Sequence, residues 1–124
     1  MLINGLTVGR GAGANQFNTA LGYQTLKSYL SGNDNVAIGR QALMSNTNGF
    51  RNVALGSTDL YNNSGSDNVA AGTYTLYAKT IGYFNVGMRF NCLSSNATGY
   101  GNLAIGTYAA FKTTTASSNT AVGS

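Results

Sequence analysis

Short stretches in which larger apolar residues alternate with small ones recur along the chain at an almost constant interval. Six of the stretches have the form Asn-x-Ala-x-Gly, and a seventh, degenerate copy at 85–89 has Gly87 and Arg89 in place of Ala and Gly; x is Val, Ile, Leu, Thr or Met and once Ala. A period of two is the pattern of a β-strand, so the two x residues share one face and the central small residue points to the other. The chain is therefore predicted to contain many short strands and little helix.

Seven copies of this stretch are present, and their asparagines are 17, 17, 16, 17, 17 and 17 residues apart. Self-similarity at a fixed period indicates a repeat architecture in which every copy supplies one structural unit. The asparagines are Asn18, Asn35, Asn52, Asn68, Asn85, Asn102 and Asn119, and the closing glycines are Gly22, Gly39, Gly56, Gly72, Gly106 and Gly123. Four residues after the closing position, the first five copies carry Leu26, Leu43, Leu60, Leu76 and Leu93.

We number the repeat positions 1 to 17, with copies starting at residues 15, 32, 49, 65, 82, 99 and 116. Asn is then position 4, and Gly occupies position 1 in five copies and position 8 in six. The unit reads Gly-x-x-Asn-x-Ala-x-Gly-x-x-x-Leu plus five variable residues. The one 16-residue copy lacks a residue between Leu60 and Gly65. The deletion falls in the variable segment, as expected for a loop.

This period predicts an all-β fold, a parallel β-solenoid of the β-helix or β-roll type, with seven coils of about 17 residues over 15–124. Residues 1–14 are predicted to form an N-terminal half-coil whose strand core is 5–9. The glycines at positions 1 and 8 are expected at sharp bends that need a positive φ. Asn at position 4 is interpreted as structural, either bonding to neighbouring backbone in a turn or stacking into an amide ladder.

The small Ala face of the strand has two possible surroundings. It either fills a tight interior within one chain or meets another chain at close range. Positions 5, 7 and 12 supply only three large apolar groups per coil, which makes a thin core, so we expect the coils to bury further surface against other chains. Three rods, side by side or intertwined in a homotrimer, would place the Ala face at their common axis.

Composition and charge exclude several classes of partner. Charged residues make up 8% of the chain and Pro is absent, a bias typical of repeats and fibres. No apolar run reaches the 18 residues of a membrane span, and the single Cys92 excludes an intrachain disulfide. The net charge is +4, yet the cations form no stripe, so no nucleic-acid partner is predicted. Six of them fall at six different repeat positions, namely Lys27, Arg40, Arg51, Lys79, Arg89 and Lys112.

Candidate chemistry is sparse. Histidine is absent and the acids are Asp34, Asp59 and Asp67. No catalytic residue, metal site or cofactor is predicted, because neither a carboxylate pair nor a ligand spacing is recognisable. Asp34, Arg51 and Asp67 share position 3 and are interpreted as a charge-alternating stack of exposed ion pairs.

Eight Tyr and five Phe are many aromatic residues for so polar a chain. Tyr74 and Tyr108 share position 10, while Tyr61, Tyr77 and Phe111 share position 13. Two interpretations stay open. The rings either pack between coils or chains, or they form a surface for a glycan or another receptor at Tyr74, Tyr77 and Tyr108.

The repeats resemble a known family. The segments NTALGYQTL at 18–26, NVAIGRQAL at 35–43 and NLAIGTYAAF at 102–111 resemble the NTAIGYQAL-type repeats of phage tail-fibre and other virion structural proteins. They are more distantly similar to the head repeats of trimeric autotransporter adhesins. The resemblance implies a homotrimeric fibre segment on a virion, made in the host cytoplasm and acting outside it. It would join other fibre or tail proteins and help to contact a host receptor or glycan. Gly87 and Arg89 depart from the pattern.

Three alternatives compete with this interpretation. A bacterial surface adhesin should carry a secretion signal and a C-terminal anchor, and neither is visible. An ice-binding solenoid needs a regular array of Thr, whereas position 5 holds Thr only at Thr19 and Thr120. A plain spacer, with recognition elsewhere, differs from the fibre hypothesis only in lacking a binding surface.

Overall fold

The computed structural model describes residues 1–12, 17–28, 31–78 and 81–124. Over these residues the chain is all-β, with no helix, and forms a parallel β-solenoid of about six turns. The predicted fold class is confirmed, and the number of turns is close to the seven coils expected from the repeat. Lys79 lies outside the described residues, and so do residues 13–16, which include the end of the N-terminal segment and the start of the first copy.

Each repeat contributes one strand to a single sheet whose strand order follows the chain. From the third strand onward, neighbouring strands are parallel and in register, so position 6 of one coil lies beside position 6 of the next, as with Ala37 and Ala54. The strands are β1 (Leu2–Ile3), β2 (Leu6–Gly9), β3 (Thr19–Tyr23), β4 (Val36–Ile38), β5 (Val53–Ser57), β6 (Val69–Thr73), β7 (Val86–Met88), β8 (Leu103–Ile105) and β9 (Thr120–Val122).

The N-terminal segment is a β-hairpin rather than a half-coil of the solenoid. The predicted strand core is present as β2, but β1 and β2 are antiparallel, and β2 pairs antiparallel with β3. Asn4 and Gly5 form the turn with φ values of 49° and 80°. An Asn-Gly pair between apolar residues is a strong hairpin signal, because both turn residues need a positive φ. This signal was present in the sequence and could have predicted the hairpin.

The interior of the solenoid holds the small side of the strand. The position 6 residues of β3 to β8 are buried, and the Leu side chains at position 12 are fully buried beside them. The interpretation of the Ala face as a single-chain interior is therefore correct, and its placement at a trimer axis is wrong. Positions 5 and 7 point outward. The expectation that their side chains belong to the core is therefore wrong. The interior of each coil already holds the Leu at position 12 and the Asn at position 4, so a side chain larger than Ala at position 6 would not fit.

Left-handed residues turn every coil. Positions 10 and 12, and position 3 from the second copy onward, adopt φ values between 45° and 64°, although most of their residues, such as Arg51, Tyr74 and Leu60, are not glycine. Five of the six position 8 glycines show the predicted positive φ, Gly39 for example at 127°, and Arg89 has a φ of 90°, whereas Gly72 is the exception. The prediction fails for position 1, where Gly49 has no positive φ. It is Gly because a Cβ there would overlap the carbonyl oxygen of Gly65 in the next coil.

Backbone hydrogen bonds join the coils in both directions along the stack. Val36 N donates to Asn52 O of the following coil at 2.8 Å, and Thr58 N donates to Arg40 O of the preceding coil at 2.8 Å. Equivalent bonds recur in the other described coils. The turns are thus bonded to their neighbours as regularly as the strands, which fixes the register of every outward side chain.

Candidate functional site

The asparagine ladder, formed by position 4 of all seven copies, runs through the interior. Asn52 shows the pattern, because its N and Nδ2 donate to Asn35 Oδ1 at 3.0 and 3.1 Å and its Nδ2 also donates to Gly65 O at 2.9 Å. Its own Oδ1 accepts two bonds from Asn68. Every donor and acceptor of the amide is used within the chain, so the structure places these asparagines in a supporting role.

A second set of interior asparagines was missed by the sequence analysis. Asn46, at position 15, donates from Nδ2 to Gly49 O at 3.1 Å and accepts from Gly49 N at 3.0 Å. Asn63 makes the same two hydrogen bonds to the backbone of Gly65. Asn96 is equally buried, but its two side-chain polar atoms have no partner among the described residues. The signal was weak, because position 15 carries Asn in only three copies.

The charge stack predicted at position 3 contains one ion pair. Arg51 Nε and Nη2 donate to Asp67 Oδ1 and Oδ2 at 2.6 and 2.8 Å, a bidentate contact on the surface. The hydrogen bond from Arg51 lowers the pKa of the Asp67 carboxyl. The hydrogen bond and the charge of Asp67 raise the pKa of the Arg51 guanidinium, and the more distant charge of Asp34 acts in the same direction. Because the pair is exposed, it contributes little to stability.

Asp59 lies apart from the other acids. It occupies position 11, is fully buried, and its two oxygens accept from Gly72 N at 2.8 Å and Thr75 N at 2.9 Å. Burial raises the pKa of this carboxyl to about 6, and the backbone hydrogen bonds oppose the rise. The perturbation comes from desolvation without a charged partner, so it indicates a strained interior position rather than a paired acid and base.

Cys92 also occupies position 11 and is buried, with Sγ 3.0 Å from Ala104 O as a donor. Burial raises the pKa of its thiol, which keeps it protonated and unreactive. Across the described ranges no group of three or more His, Cys, Asp or Glu residues could hold a metal ion. In the same residues no helix is long and apolar enough to cross a membrane.

The strand face is the outward side of the sheet, made of positions 5 and 7 in β3 to β9. It is apolar along most of its length, and its larger side chains are partly open to solvent, with Ile38 40% and Leu55 43% exposed. Its residues are Thr19, Leu21, Val36, Ile38, Val53, Leu55, Val69, Ala71, Val86, Met88, Leu103, Ile105, Thr120 and Val122. Parallel sheets are normally covered on both faces, and this one is covered only on its inner face.

The aromatic ridge is a set of six rings in mutual contact, which stand at positions 9, 10 and 13 of the repeat. It consists of Tyr61, Tyr74, Tyr77, Phe90, Tyr108 and Phe111. Tyr74, Tyr77 and Tyr108 of the sequence-based hypothesis therefore lie in one cluster. Phe90 was missed because it stands at position 9, yet its ring bridges Tyr74 at 6.3 Å and Tyr108 at 5.6 Å.

The position-2 patch is a separate aromatic cluster that the sequence analysis did not single out. Tyr83 and Tyr100 stack with ring centroids 5.2 Å apart and planes 7° from parallel. Phe84 packs its edge against Tyr83 at 5.4 Å, and the Arg51 guanidinium lies 5.8 Å from the ring centroid of Phe50. In the stacked pair each ring covers one face of the other, so only their edges and outer faces meet solvent.

Comparison of the chain with protein-family models, with curated proteins and with solved structures gives no match. The surfaces described above are therefore the features of the chain that bear on its function. The interior is satisfied by the asparagine ladder and the small apolar core, whereas the strand face and the aromatic ridge both leave apolar area open. Exposed apolar surface that is continuous over several coils is typical of interaction sites.

Proposed function

We propose that the chain is a rigid shaft segment of a homotrimeric viral fibre or tail-associated protein of phage type, which assembles through its strand face. The uncovered strand face is the observation that carries the proposal. Both outward positions of the strand are apolar in five of the seven copies, and Thr interrupts only at Thr19 and Thr120. A sheet of this kind, exposed to water over its whole length, favours association.

A further copy of the same chain fits this face better than an unrelated partner. The outward side chains repeat along the axis at the strand spacing of about 4.8 Å. Only a partner with the same period can place its side chains between these side chains over all the coils. Further copies of the chain have that period when they are related by rotation about an axis parallel to the solenoid. The resemblance of the repeats to phage fibre segments supports three copies, with the virion as location and other fibre or tail proteins as neighbours.

The size of the face sets the contact area of a trimer. At about 4.8 Å per coil the face is roughly 33 Å long, and a three-residue strand with its side chains is about 12 Å wide. Three chains that turn this face to one axis bury about 400 Å² at each of three contacts, or roughly 1,200 Å² together, which is small for each contact taken alone. The trimer therefore depends on all three contacts forming together, and they add to the stability of a solenoid whose apolar interior consists mainly of Ala and Leu.

The test is the solution mass measured by light scattering, supported by circular dichroism to show that each variant is folded. We expect the wild-type chain at three times 12.8 kDa. Leu55→Lys puts a charge at the centre of the face and should give a folded monomer, whereas the matched control Thr47→Lys, at an exposed loop position, should leave the trimer intact. A folded wild-type monomer at all concentrations would overturn the proposal.

A further inference from the structure

The aromatic ridge contains the same arrangement twice. In the fourth coil Tyr74 and Tyr77 meet edge-to-face with centroids 5.4 Å apart and planes at 79°. In the sixth coil Tyr108 and Phe111 meet with centroids 5.3 Å apart and planes at 83°. Phe90 of the coil between them stands edge-to-face to Tyr74 and Tyr108. The ridge therefore presents two equivalent aromatic pairs with one ring between them.

Edge-to-face packing leaves ring surface available to a ligand. In each such contact one ring presents only its edge, so less ring face is covered than in the stacked pair of Tyr83 and Tyr100, where each ring covers one face of the other. Tyr74 is 40% exposed and Tyr108 50% exposed, so their rings are reachable from solvent. Tyr74 and Tyr108 stand at position 10, two residues after the position 8 bend, whereas the strand face is made of positions 5 and 7.

The surroundings of the rings are polar and mostly uncharged. Thr73 and Thr107 share position 9 with Phe90 in the neighbouring coils, and Asn91 shares position 10 with Tyr74. Hydroxyl and amide groups beside aromatic faces suit the hydroxyls and the apolar C–H face of a sugar ring. An apolar protein partner would gain less binding free energy from polar groups around the rings.

The spacing of the two pairs selects a type of glycan. Tyr74 and Tyr108 occupy the same repeat position two coils apart, which is about 9.6 Å at about 4.8 Å per coil. This distance is close to one disaccharide unit of an extended β-1,4-linked hexopyranose chain. An α-1,4-linked chain curves and does not keep its rings on a straight line of this period.

We infer that the aromatic ridge is a binding site for an extended β-1,4-linked hexopyranose glycan that runs along the solenoid axis and stacks its rings on Tyr74 and Tyr108. The inference rests on the proposed function, because it supplies the fibre with a specific class of ligand. The two tyrosines act as equivalent platforms, and Phe90 fixes their orientation from the coil between them.

The repeat itself provides the variants for a test. Position 10 carries Gln24 and Gln41 in the first two coils, with φ values of 55° and 58° beside 57° for Tyr74. The double variant Tyr74→Gln/Tyr108→Gln therefore uses a residue that the coil already accepts at this position. Position 2 carries Ser66 and Ser117, so Tyr83→Ser/Tyr100→Ser is the matched control that removes two exposed tyrosines elsewhere.

The experiment is calorimetric titration of the full chain with cellohexaose and, for comparison, with maltohexaose. We expect binding of cellohexaose only, weakened about tenfold or more by Tyr74→Gln/Tyr108→Gln and unchanged in the control, since each ring contributes a stacking contact. Absence of cellohexaose binding, equal binding of maltohexaose, or equal loss in the control would each refute the glycan site. Light scattering on the same samples separates the two proposals, because a trimer that binds no glycan overturns this inference alone.

Discussion

Removal of one rung from the middle of the asparagine ladder should destabilise the solenoid far more than removal of its last rung. Asn68 is fully buried, and its Nδ2 donates to Asn52 Oδ1 at 3.3 Å and to Gly82 O at 2.9 Å. Its Oδ1 accepts from Asn85 N at 3.0 Å and from Asn85 Nδ2 at 3.1 Å. Asn68→Ala deletes all four contacts and leaves the Asn85 backbone N–H without its acceptor.

The expected cost follows from these contacts. Each lost hydrogen bond costs about 1 kcal/mol net, and a buried donor left without an acceptor costs up to about 3 kcal/mol. We therefore expect Asn68→Ala to lower the free energy of unfolding by about 4 kcal/mol. Asn119 is exposed and its ladder bonds are those to Asn102, so Asn119→Ala in this chain should cost less than about 1 kcal/mol.

The measurement is urea unfolding followed by far-ultraviolet circular dichroism, with all proteins at one concentration because assembly adds to apparent stability. Nearest-neighbour coupling in a solenoid means that a weak central coil disrupts the stack on both sides. Equal losses for Asn68→Ala and Asn119→Ala would show that the ladder carries no more stability in the interior than at its end, and the reasoning would fail.

Two further predictions concern the interior. The pKa of Asp59 is about 6 in the folded chain against an ordinary value of 3.8, so folding favours the neutral carboxyl. Its contribution to the free energy of unfolding is therefore fully present below about pH 4, and up to roughly 3 kcal/mol is lost as the pH rises through 6. Urea midpoints at pH 4 and pH 8 should differ accordingly, and Asp59→Thr should remove that difference. Gly49→Ala should lower the free energy of unfolding by several kcal/mol, because the new Cβ would overlap Gly65 O. Gly101→Asn should change the thermal stability little, because the nearest atom to a Cβ at this position lies 3.7 Å away and Asn tolerates the φ of 64°. Similar melting temperatures for the two glycine variants would contradict the packing argument.

The sequence determined which residues share a face, but not which face is inside. Alternation groups Val53 with Leu55 and sets Ala54 opposite them, and hydrophobicity alone would put the larger pair in the core. The structure buries Ala54 because the closed coil is too narrow for larger side chains opposite Leu60. Coil width is a property of the whole turn and is not encoded in the strand motif, so this expectation failed.

Interior contacts made by residues that recur at one repeat position could be predicted, and contacts made by residues that do not recur could not. Asn at position 4 occurs in every copy, and an amide ladder was one of the two expected arrangements. The left-handed φ of 48° at Leu60 could not be predicted from the residue type, because Leu has no preference for the left-handed region. Tertiary packing imposes this conformation. Phe90 joins the aromatic ridge from a different repeat position than Tyr74, so a search by position alone separated them.

The direction of the bonds between coils determines how such a shaft carries tension. The hydrogen bonds between coils lie along the axis, while the covalent chain winds around it. A pull on the two ends therefore loads the bonds of one coil together and can detach that coil before its neighbour yields. Each detached coil of 17 residues releases roughly 50 Å of extended chain. Under load the solenoid acts as an extensible tether that lengthens in equal steps and absorbs mechanical shock.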